Sequence, residues 1–177
     1  MGILILDGTF GSKYSGLLNR ITNQLDSQDI EVIKIEDSKV AYCTGCWSCW
    51  VKTPGKCVHQ DHTQVILNKA INADKVLLFT ENSVGYITSL SKKVLEKFIP
   101  LVHPYIELVD GECHHVKRYE SYPEMGLIYI DDALNESDYQ NTRKMIERAA
   151  LNFKTTLSLS LHIKSDEEAF SHEIIHF

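Results

Sequence analysis

Four cysteines lie within the stretch CTGCWSCWVKTPGKC, residues 43–57, with the spacing C-x2-C-x2-C-x7-C. Cysteines at this interval can surround one iron–sulfur cluster, with a later residue closing the site. A zinc site more often shows two separated C-x2-C pairs, which this chain lacks. The residue types alone leave three interpretations open, namely an iron–sulfur cluster, a thiol-lined or merely packed loop, and zinc. The residues concerned are Cys43, Cys46, Cys49 and Cys57.

A polar, glycine-containing segment, DGTFGSKYSGLL at 7–18, follows the first apolar run of the chain. Free N–H groups at a helix start, with the hydroxyls of Thr9, Ser12 and Ser15, can bind a phosphate. The segment is neither a Walker A sequence nor GxGxxG, which argues against a nucleotide triphosphatase or a Rossmann dinucleotide site. The alternative is a simple capping turn, with Ser15 as the N-cap of the helix.

A second polar segment, TENSVGYITSLSKK at 80–93, follows another apolar run. A loop of small residues at such a place offers backbone donors and acceptors to a planar heterocycle, and Tyr86 is available to stack on it. The alternative is an ordinary turn between a strand and a helix.

The elements that must position these segments alternate between buried strands and amphipathic helices. This order predicts right-handed βαβ units, a parallel sheet and ligands at the carboxyl ends of its strands. The residues from 103 to 124 are predicted to form a long functional loop. Strands are predicted at 3–7, 31–37, 75–80, 125–131 and 155–163, and helices at 15–27, 63–71, 89–101, 137–153 and 166–177.

Composition restricts the class of protein. A chain of 177 residues suits one domain, predicted over 1–177, and its net charge of −6 argues against nucleic-acid binding. No apolar stretch approaches the roughly 18 residues of a membrane span, and no signal peptide is recognised. Five cysteines, an odd number, favour a reduced cytoplasmic location over a disulfide framework.

Together the segments resemble the flavodoxin-like NADPH-dependent FMN reductases, a group that includes the iron–sulfur flavoproteins. The resemblance covers roughly residues 3–100. It rests on G8-T9…S15, on C43-x-G45-C46-x-x-C49…G55-x-C57 between strand 2 and helix 2, and on G85-Y-I-T-S-L-S-K92…E96-K97.

The resemblance implies a flavodoxin-like three-layer α/β sandwich with a five-stranded parallel sheet in the order 2-1-3-4-5. It implies FMN, with Thr9, Ser12 and Ser15 at the phosphate. It implies NAD(P)H as donor, a quinone, flavin, metal centre or redox protein as acceptor, and a homodimer. The flavin ring would lie against Glu81, Asn82, Ser83, Val84, Gly85 and Tyr86.

The chain departs from the usual pattern of this group at both flavin segments. Phe10 and Gly11 stand where a proline and a basic residue are usual, and Glu81 and Ser83 replace a proline and a tyrosine. A carboxylate at Glu81 would disfavour an anionic reduced ring by Coulomb repulsion. Two alternatives to an FMN reductase follow, namely an electron-transfer module with a [4Fe–4S] cluster on the cysteine segment, and a cofactor-free flavodoxin-like scaffold.

Three further groups of polar residues are weaker candidates. Cys113-His114-His115 and the pair His172 and His176 are considered as metal ligands, and residues 117–119 as contacts to a nicotinamide phosphate or a second subunit. Surface roles are the alternative for all three.

Overall fold

The computed structural model of the chain describes residues 2–27, 29–109, 111–166, 172–175 and 177. None of the helices within these ranges combines the length and the apolar character needed to cross a membrane. The strands are β1 (Gly2–Asp7), β2 (Asp29–Lys34), β3 (Lys75–Ser83), β4 (Tyr86–Ile87), β5 (Val102–Val109), β6 (Glu112–Lys117), β7 (Glu124–Ile130) and β8 (Leu157–Ile163). The helices are α1 (Ser15–Gln24), α2 (Ser48–Val51), α3 (Thr63–Asn72), α4 (Ser89–Glu96), α5 (Glu136–Asn152) and α6 (His172–Ile175).

The main sheet has the strand order β2-β1-β3-β7-β8, and all four of these pairings are parallel. This confirms the predicted order 2-1-3-4-5, since β7 and β8 are the fourth and fifth predicted strands. The short strand β4 pairs with the end of β3 in the antiparallel direction.

Two apolar cores lie on opposite faces of this sheet. Successive residues of a strand point to opposite faces, so Leu4 and Leu6 enter one core while Ile3 and Ile5 enter the other. Buried residues of α3, α4 and α5 complete the first core, and those of α1 and α6 belong to the second. Strands buried on both faces must be apolar throughout, which explains the continuous apolar runs in the sequence.

The segment predicted as a long loop after residue 103 is instead the antiparallel hairpin β5–β6. This prediction was wrong because ECHHVK in β6 has no apolar alternation that would indicate a strand. The segment is a strand because its backbone pairs with β5. Hydrogen bonds fix the base of the hairpin. The Tyr122 hydroxyl, beyond β6, donates to Leu101 O, just before β5, at 2.6 Å, and Trp50 Nε1 donates to Val102 O at 2.9 Å.

Two helix ends also differ from the prediction. Tyr14, not Ser15, occupies the N-cap position of α1, and its side chain makes no capping hydrogen bond. Helix α4 ends at Glu96, and a short 3-10 turn with Pro100 follows it. The proline ring has no N–H for a helical hydrogen bond, so the α-helix does not continue through it. Part of the predicted helix at 166–177 lies outside the described residues.

The loop after β1 packs directly against the start of α4. Gly8 N donates to Phe79 O at 2.9 Å, and the Thr88 hydroxyl donates to Gly8 O. A Cβ added at Gly8 would overlap the Ser91 hydroxyl and lie 3.2 Å from Ser91 N. Residue 8 must therefore be a glycine for these two segments to approach so closely.

We expect Gly8→Ala to lower the free energy of unfolding by about 1–3 kcal/mol, because the added methyl group forces apart two buried segments. Urea unfolding would measure the change. The matched control is Gly16→Ala in α1, where the nearest atom to an added Cβ is 3.9 Å away. That change should raise stability by about 0.5–1 kcal/mol, because alanine favours the helix. Equal stability of Gly8→Ala and the wild type would contradict the packing described.

Candidate functional site

Asp7, the last residue of β1, organises the loop that follows it. Its Oδ1 accepts hydrogen bonds from Thr9 N at 2.9 Å and from the Thr9 hydroxyl at 2.7 Å. Lys34 Nζ lies 3.0 Å from Asp7 Oδ2 and also donates to Thr9 O at 2.8 Å. Thr9 is buried and its hydroxyl is already engaged, so the turn is held by the chain's own polar groups.

The other two hydroxyls predicted to hold a phosphate face solvent. Ser12 and Ser15 are both exposed, and Ser15 N donates to Ser12 O at 3.1 Å. The structure thus brings Ser12 and Ser15 together at the start of α1 and separates them from the buried Thr9.

The backbone N–H groups of this loop are occupied by carboxylates. Phe10 N donates to Glu81 Oε1 at 2.9 Å, and Gly11 N donates to Glu36 Oε2 at 2.8 Å. With Thr9 N on Asp7, three successive amides each donate to an acidic side chain. A flavin phosphate would need the same donors, so the loop in this arrangement does not fit one.

Glu81, near the carboxyl end of β3, connects that strand to the loop after β1. Besides accepting from Phe10 N, its carboxylate lies close to the hydroxyl of the buried Tyr14. Burial raises the pKa of Tyr14 and the nearby Glu81 charge raises it further, against the opposing effect of Lys13. The Tyr14 hydroxyl therefore stays protonated and able to donate to the carboxylate.

The predicted ring segment forms a tight hairpin. Strand β3 continues to Ser83, and the pairs Asn82↔Ile87 and Ser83↔Tyr86 return the chain through β4. Val84 and Gly85 have φ values of 55° and 80°, the positive values that two-residue hairpin turns require. The Asn82 side chain accepts from Gly85 N at 2.8 Å, so both of these groups, predicted to face a flavin, are bonded within the hairpin.

The tip of this hairpin presents an apolar residue to solvent. The Val84 side chain is fully exposed, and Tyr86 is half-buried. Burial raises the pKa of the Tyr86 hydroxyl. Gly85 lies against α5, where an added Cβ would stand 3.2 Å from the carboxylate of Asp138.

A histidine near the carboxyl end of β8, whose side chain is 8% exposed, was not predicted from the sequence. His162 Nε2 is 3.5 Å from Asp131 Oδ2 and Nδ1 is 3.5 Å from Glu136 Oε2, and the ring stacks on Tyr139 with centroids 4.6 Å apart. Burial opposes ionisation of Asp131, but backbone hydrogen bonds from Asn135 and Ala133 outweigh it and lower its pKa. The sequence signal that could have predicted this contact was the position of Asp131 and His162 at the ends of two buried strands that are adjacent in the sheet.

The four cysteines of residues 43–57 line one cavity of about 320 Å³. Cys49 is buried, Cys43 and Cys57 are half-buried, and Cys46 is exposed. Gly45, Trp47 and Gly55 have positive φ values, which turn the loop around the cavity. The Trp47 and Trp50 rings stack with centroids 4.8 Å apart.

A buried cation adjoins this cavity. Lys97 is 3% exposed, with Nζ 3.3 Å from Cys57 Sγ and 3.8 Å from Asp61 Oδ2. Burial tends to raise the pKa of Asp61, but hydrogen bonds from Thr63 and Ala41 and the charge of Lys97 lower it overall. A positive charge beside the thiols favours anionic sulfur in the cavity.

The thiols themselves differ in acidity. Hydrogen bonds from the Ser48 side chain and backbone lower the pKa of Cys46. Burial raises the pKa of Cys49, and the charges of Cys57, Cys43 and Cys46 add to that rise. Within the described residues, no group of three or more His, Cys, Asp or Glu side chains converges as a single metal ion requires.

The cavity and the two polar loops lie at opposite ends of α4. Thr88, before the first turn of α4, contacts Gly8, whereas Glu96 and Lys97 at the other end line the cavity. An eight-residue helix is about 12 Å long, so the cysteines form a site separate from the two polar loops.

The weaker candidates have structural roles or lie outside the described side chains. His114 is buried, with its ring nitrogens 3.1 Å from Asn152 Oδ1 and from Glu112 Oε2, whereas Cys113 is exposed, so the 113–115 group does not converge. Arg118 Nε donates to Pro100 O at 2.9 Å and holds the hairpin to the main body. The side chains of residues 172 and 176 lie outside those described.

A parallel sheet in this order, with helices on both faces, defines a flavodoxin-like α/β fold. No protein-family model matches the chain. Over 105 residues it is 29% identical to an iron–sulfur flavoprotein from Archaeoglobus fulgidus, a match that spans 58% of this chain and 46% of that protein. The chain therefore covers less than half the length of this relative.

Two solved structures have similar folds. RosB with the bound intermediate 8-demethyl-8-formylriboflavin-5'-phosphate gives a TM-score of 0.60 at 14% identity, over 96% of this chain and 68% of that one. Azoreductase AzrA gives a TM-score of 0.63 at 10% identity, over 93% of this chain and 87% of that one. The predicted resemblance to flavodoxin-like reductases and iron–sulfur flavoproteins is confirmed.

We expect iodoacetamide to alkylate Cys46 several-fold faster than Cys49 in reduced, metal-free protein, because the exposed thiol has the lowered pKa. Mass spectrometry of timed samples would measure both rates, with the exposed Cys113 as internal reference. Ser48→Ala should slow labelling of Cys46 and leave Cys113 unchanged. Equal labelling of Cys46 and Cys49 would contradict the environments described.

Proposed function

We propose that the chain is a flavin-dependent oxidoreductase, with FMN or a related flavin bound at the carboxyl edge of the sheet. The observation that carries the proposal is the meeting of two polar loops at the switch point of a flavodoxin-like sheet. The chain reverses its winding between β1 and β3, and such a reversal opens a crevice at the carboxyl ends. The iron–sulfur flavoprotein relative and the flavin intermediate in RosB support the same class of ligand.

In this proposal the chain binds and orients the flavin, whose ring system supplies the electron chemistry when bound. The ring would lie against the β3–β4 hairpin, where Val84 offers an apolar surface and Tyr86 a half-buried aromatic one. The Phe10 and Gly11 amides could take a phosphate only after the glutamates leave them. NAD(P)H is the proposed electron donor, and a quinone, flavin or other redox partner the proposed acceptor.

Val84→Asp tests the placement of the ring. We expect it to weaken binding of riboflavin and FMN by about tenfold, because a charge replaces apolar contact surface, a loss of about 1.4 kcal/mol. Aspartate tolerates the positive φ of residue 84 better than valine does, so the fold should persist. Gly85→Val is unsuitable, because its positive φ and the nearby Asp138 would strain the hairpin in any case.

Quenching of flavin fluorescence would measure both dissociation constants. Val51→Asp is the matched control, since Val51 is another exposed valine but lies on α2 beside the cysteine loop. Equal flavin binding by Val84→Asp and Val51→Asp would reject the hairpin as the ring site. Failure of the wild-type protein to bind either flavin would reject the proposed function.

The cysteine cavity favours a second candidate function, an electron-transfer module with a [4Fe–4S] cluster. All four cysteines face one cavity, and the buried Lys97 would offset the negative charge of thiolates and cluster. Cys43, Cys46, Cys49 and Cys57 would be the ligands. The proposal extends the resemblance to an iron–sulfur flavoprotein to this chain's own residues.

Anaerobic reconstitution with iron and sulfide tests this second candidate. We expect about four irons per chain and a broad absorption band at the blue end of the visible spectrum. Both should be lost in Cys49→Ser, because that change removes a ligand. Cys113→Ser is the matched control and should keep the iron, since Cys113 lies on β6 outside the cavity. A wild type that takes up no iron would leave the cysteines as thiol or packing residues. A protein without iron and without flavin would support the cofactor-free scaffold instead.

A homodimer stays a prediction from the family resemblance. A cytoplasmic location is likewise a prediction from cysteine content.

A further inference from the structure

The loop after β1 already holds anions supplied by the chain. The amides of Phe10 and Gly11 donate to Glu81, near the carboxyl end of β3, and to Glu36, in the loop after β2. Two separate strands of the sheet thus each deliver one carboxylate to adjacent donors of one loop. Such donors form the kind of backbone concavity that binds phosphate in other proteins.

We propose that Glu36 and Glu81 set the ligand specificity of this site against a phosphate monoester. The site then takes a flavin by its ring and gains little from the phosphate, so riboflavin and FMN bind with similar affinity. This inference rests on the proposed flavin function for its biological meaning. The physical claim, that the Glu36 and Glu81 carboxylates exclude phosphate from the Phe10 and Gly11 amides, holds independently of that function.

Charge supports the exclusion. A phosphate placed at the two amides would meet both carboxylates at short range, and like charges so close repel strongly where solvent is partly excluded. Glu81 is half-buried, which limits screening of its charge. Hydrogen bonds to ionised acceptors are also stronger than neutral ones, so the amides gain little by exchanging one anion for another.

The two lysines named with this loop among the described residues are already engaged with other groups. Lys34 lies 3.0 Å from Asp7 Oδ2 and donates to Thr9, so its charge is already paired. Lys13 lies 3.6 Å from Asp132 Oδ2 and donates to the Tyr14 hydroxyl at 2.8 Å.

The test compares riboflavin and FMN on the wild-type chain and on Glu36→Gln, Glu81→Gln and the double variant. Fluorescence quenching gives each dissociation constant. We expect the riboflavin-to-FMN ratio of dissociation constants to be near one in the wild type. Removing both charges should raise that ratio by about tenfold or more, by tighter binding of FMN alone.

Glu147→Gln is the matched control. It removes one negative charge from α5, where Glu147 pairs with Arg143 at 3.0 Å, without touching the loop. Its ratio should equal that of the wild type. A wild type that binds FMN far more tightly than riboflavin, with no gain in the double variant, would overturn the inference and leave the flavin function standing.

A second measurement needs no flavin. Inorganic phosphate titrated into ¹⁵N-labelled protein should shift the Phe10 and Gly11 amide signals in the double variant, but not in the wild type at the same concentration. Glu36 is exposed, so its variant should fold even if the half-buried Glu81 proves sensitive. For Glu36→Gln alone, we expect the Gly11 signal to respond to phosphate.

The two measurements separate the two failures. If no protein binds flavin but the double variant gains the phosphate response, the proposed function fails and the specificity inference stands. Wild-type amides that respond to phosphate as strongly as the variant's would overturn the inference, whatever the flavin result. Double-variant amides that do not respond would also overturn it.

Discussion

Burial of β1 and β3 on both faces is the constraint that the rest of this structure follows. Their side chains enter two separate cores, so a polar group within either strand would lose its water on both sides. Polar residues are therefore confined to the strand ends, and Asp7 and Glu81 lie where the central strands meet solvent. The Asp7 carboxylate then organises the first loop, and Glu81 joins that loop to the next. Local chemistry at this edge thus arises from a packing requirement of the whole sheet.

The two candidate sites have opposite electrostatic character. At the loop edge, carboxylates occupy the backbone donors, and Lys34 is balanced by Asp7. At the cysteine cavity a buried ammonium, Lys97, stands beside a thiol. An anionic group is consequently easier to bind at the cysteine cavity than at the carboxyl edge of the sheet. The flavodoxin-like topology alone would place a ligand at that edge. The distribution of charge, more than the fold, distinguishes what each site can accept.

Much of the fold could be predicted from the sequence because its main strands are continuous apolar runs. The five parallel strands follow from those runs and from the alternation of strands with helices. Their order was implied by the family resemblance. The β5–β6 hairpin could not be predicted, since β6 is polar and is ordered only by pairing with β5.

The candidate site was harder to predict than the fold. The segments that carry Thr9, Glu81 and the cysteines were recognised, but the bonds from Phe10 to Glu81 and from Gly11 to Glu36 join residues far apart in sequence. No local pattern encodes such contacts. The one sequence signal of an unusual site was a departure from the family motif, with Glu81 in place of a proline.

The stacked pair Trp47 and Trp50 has an optical consequence. The chain contains two tryptophans, and both lie in the cysteine loop. Trp47 lines the cavity, while Trp50 is fixed by its bond to Val102 and its contact with His115. Indole emission from this protein therefore comes from one small region, and a bound iron–sulfur centre would quench it strongly. The chain thus carries its own local spectroscopic probe, and occupancy of the cavity can be followed without any added label.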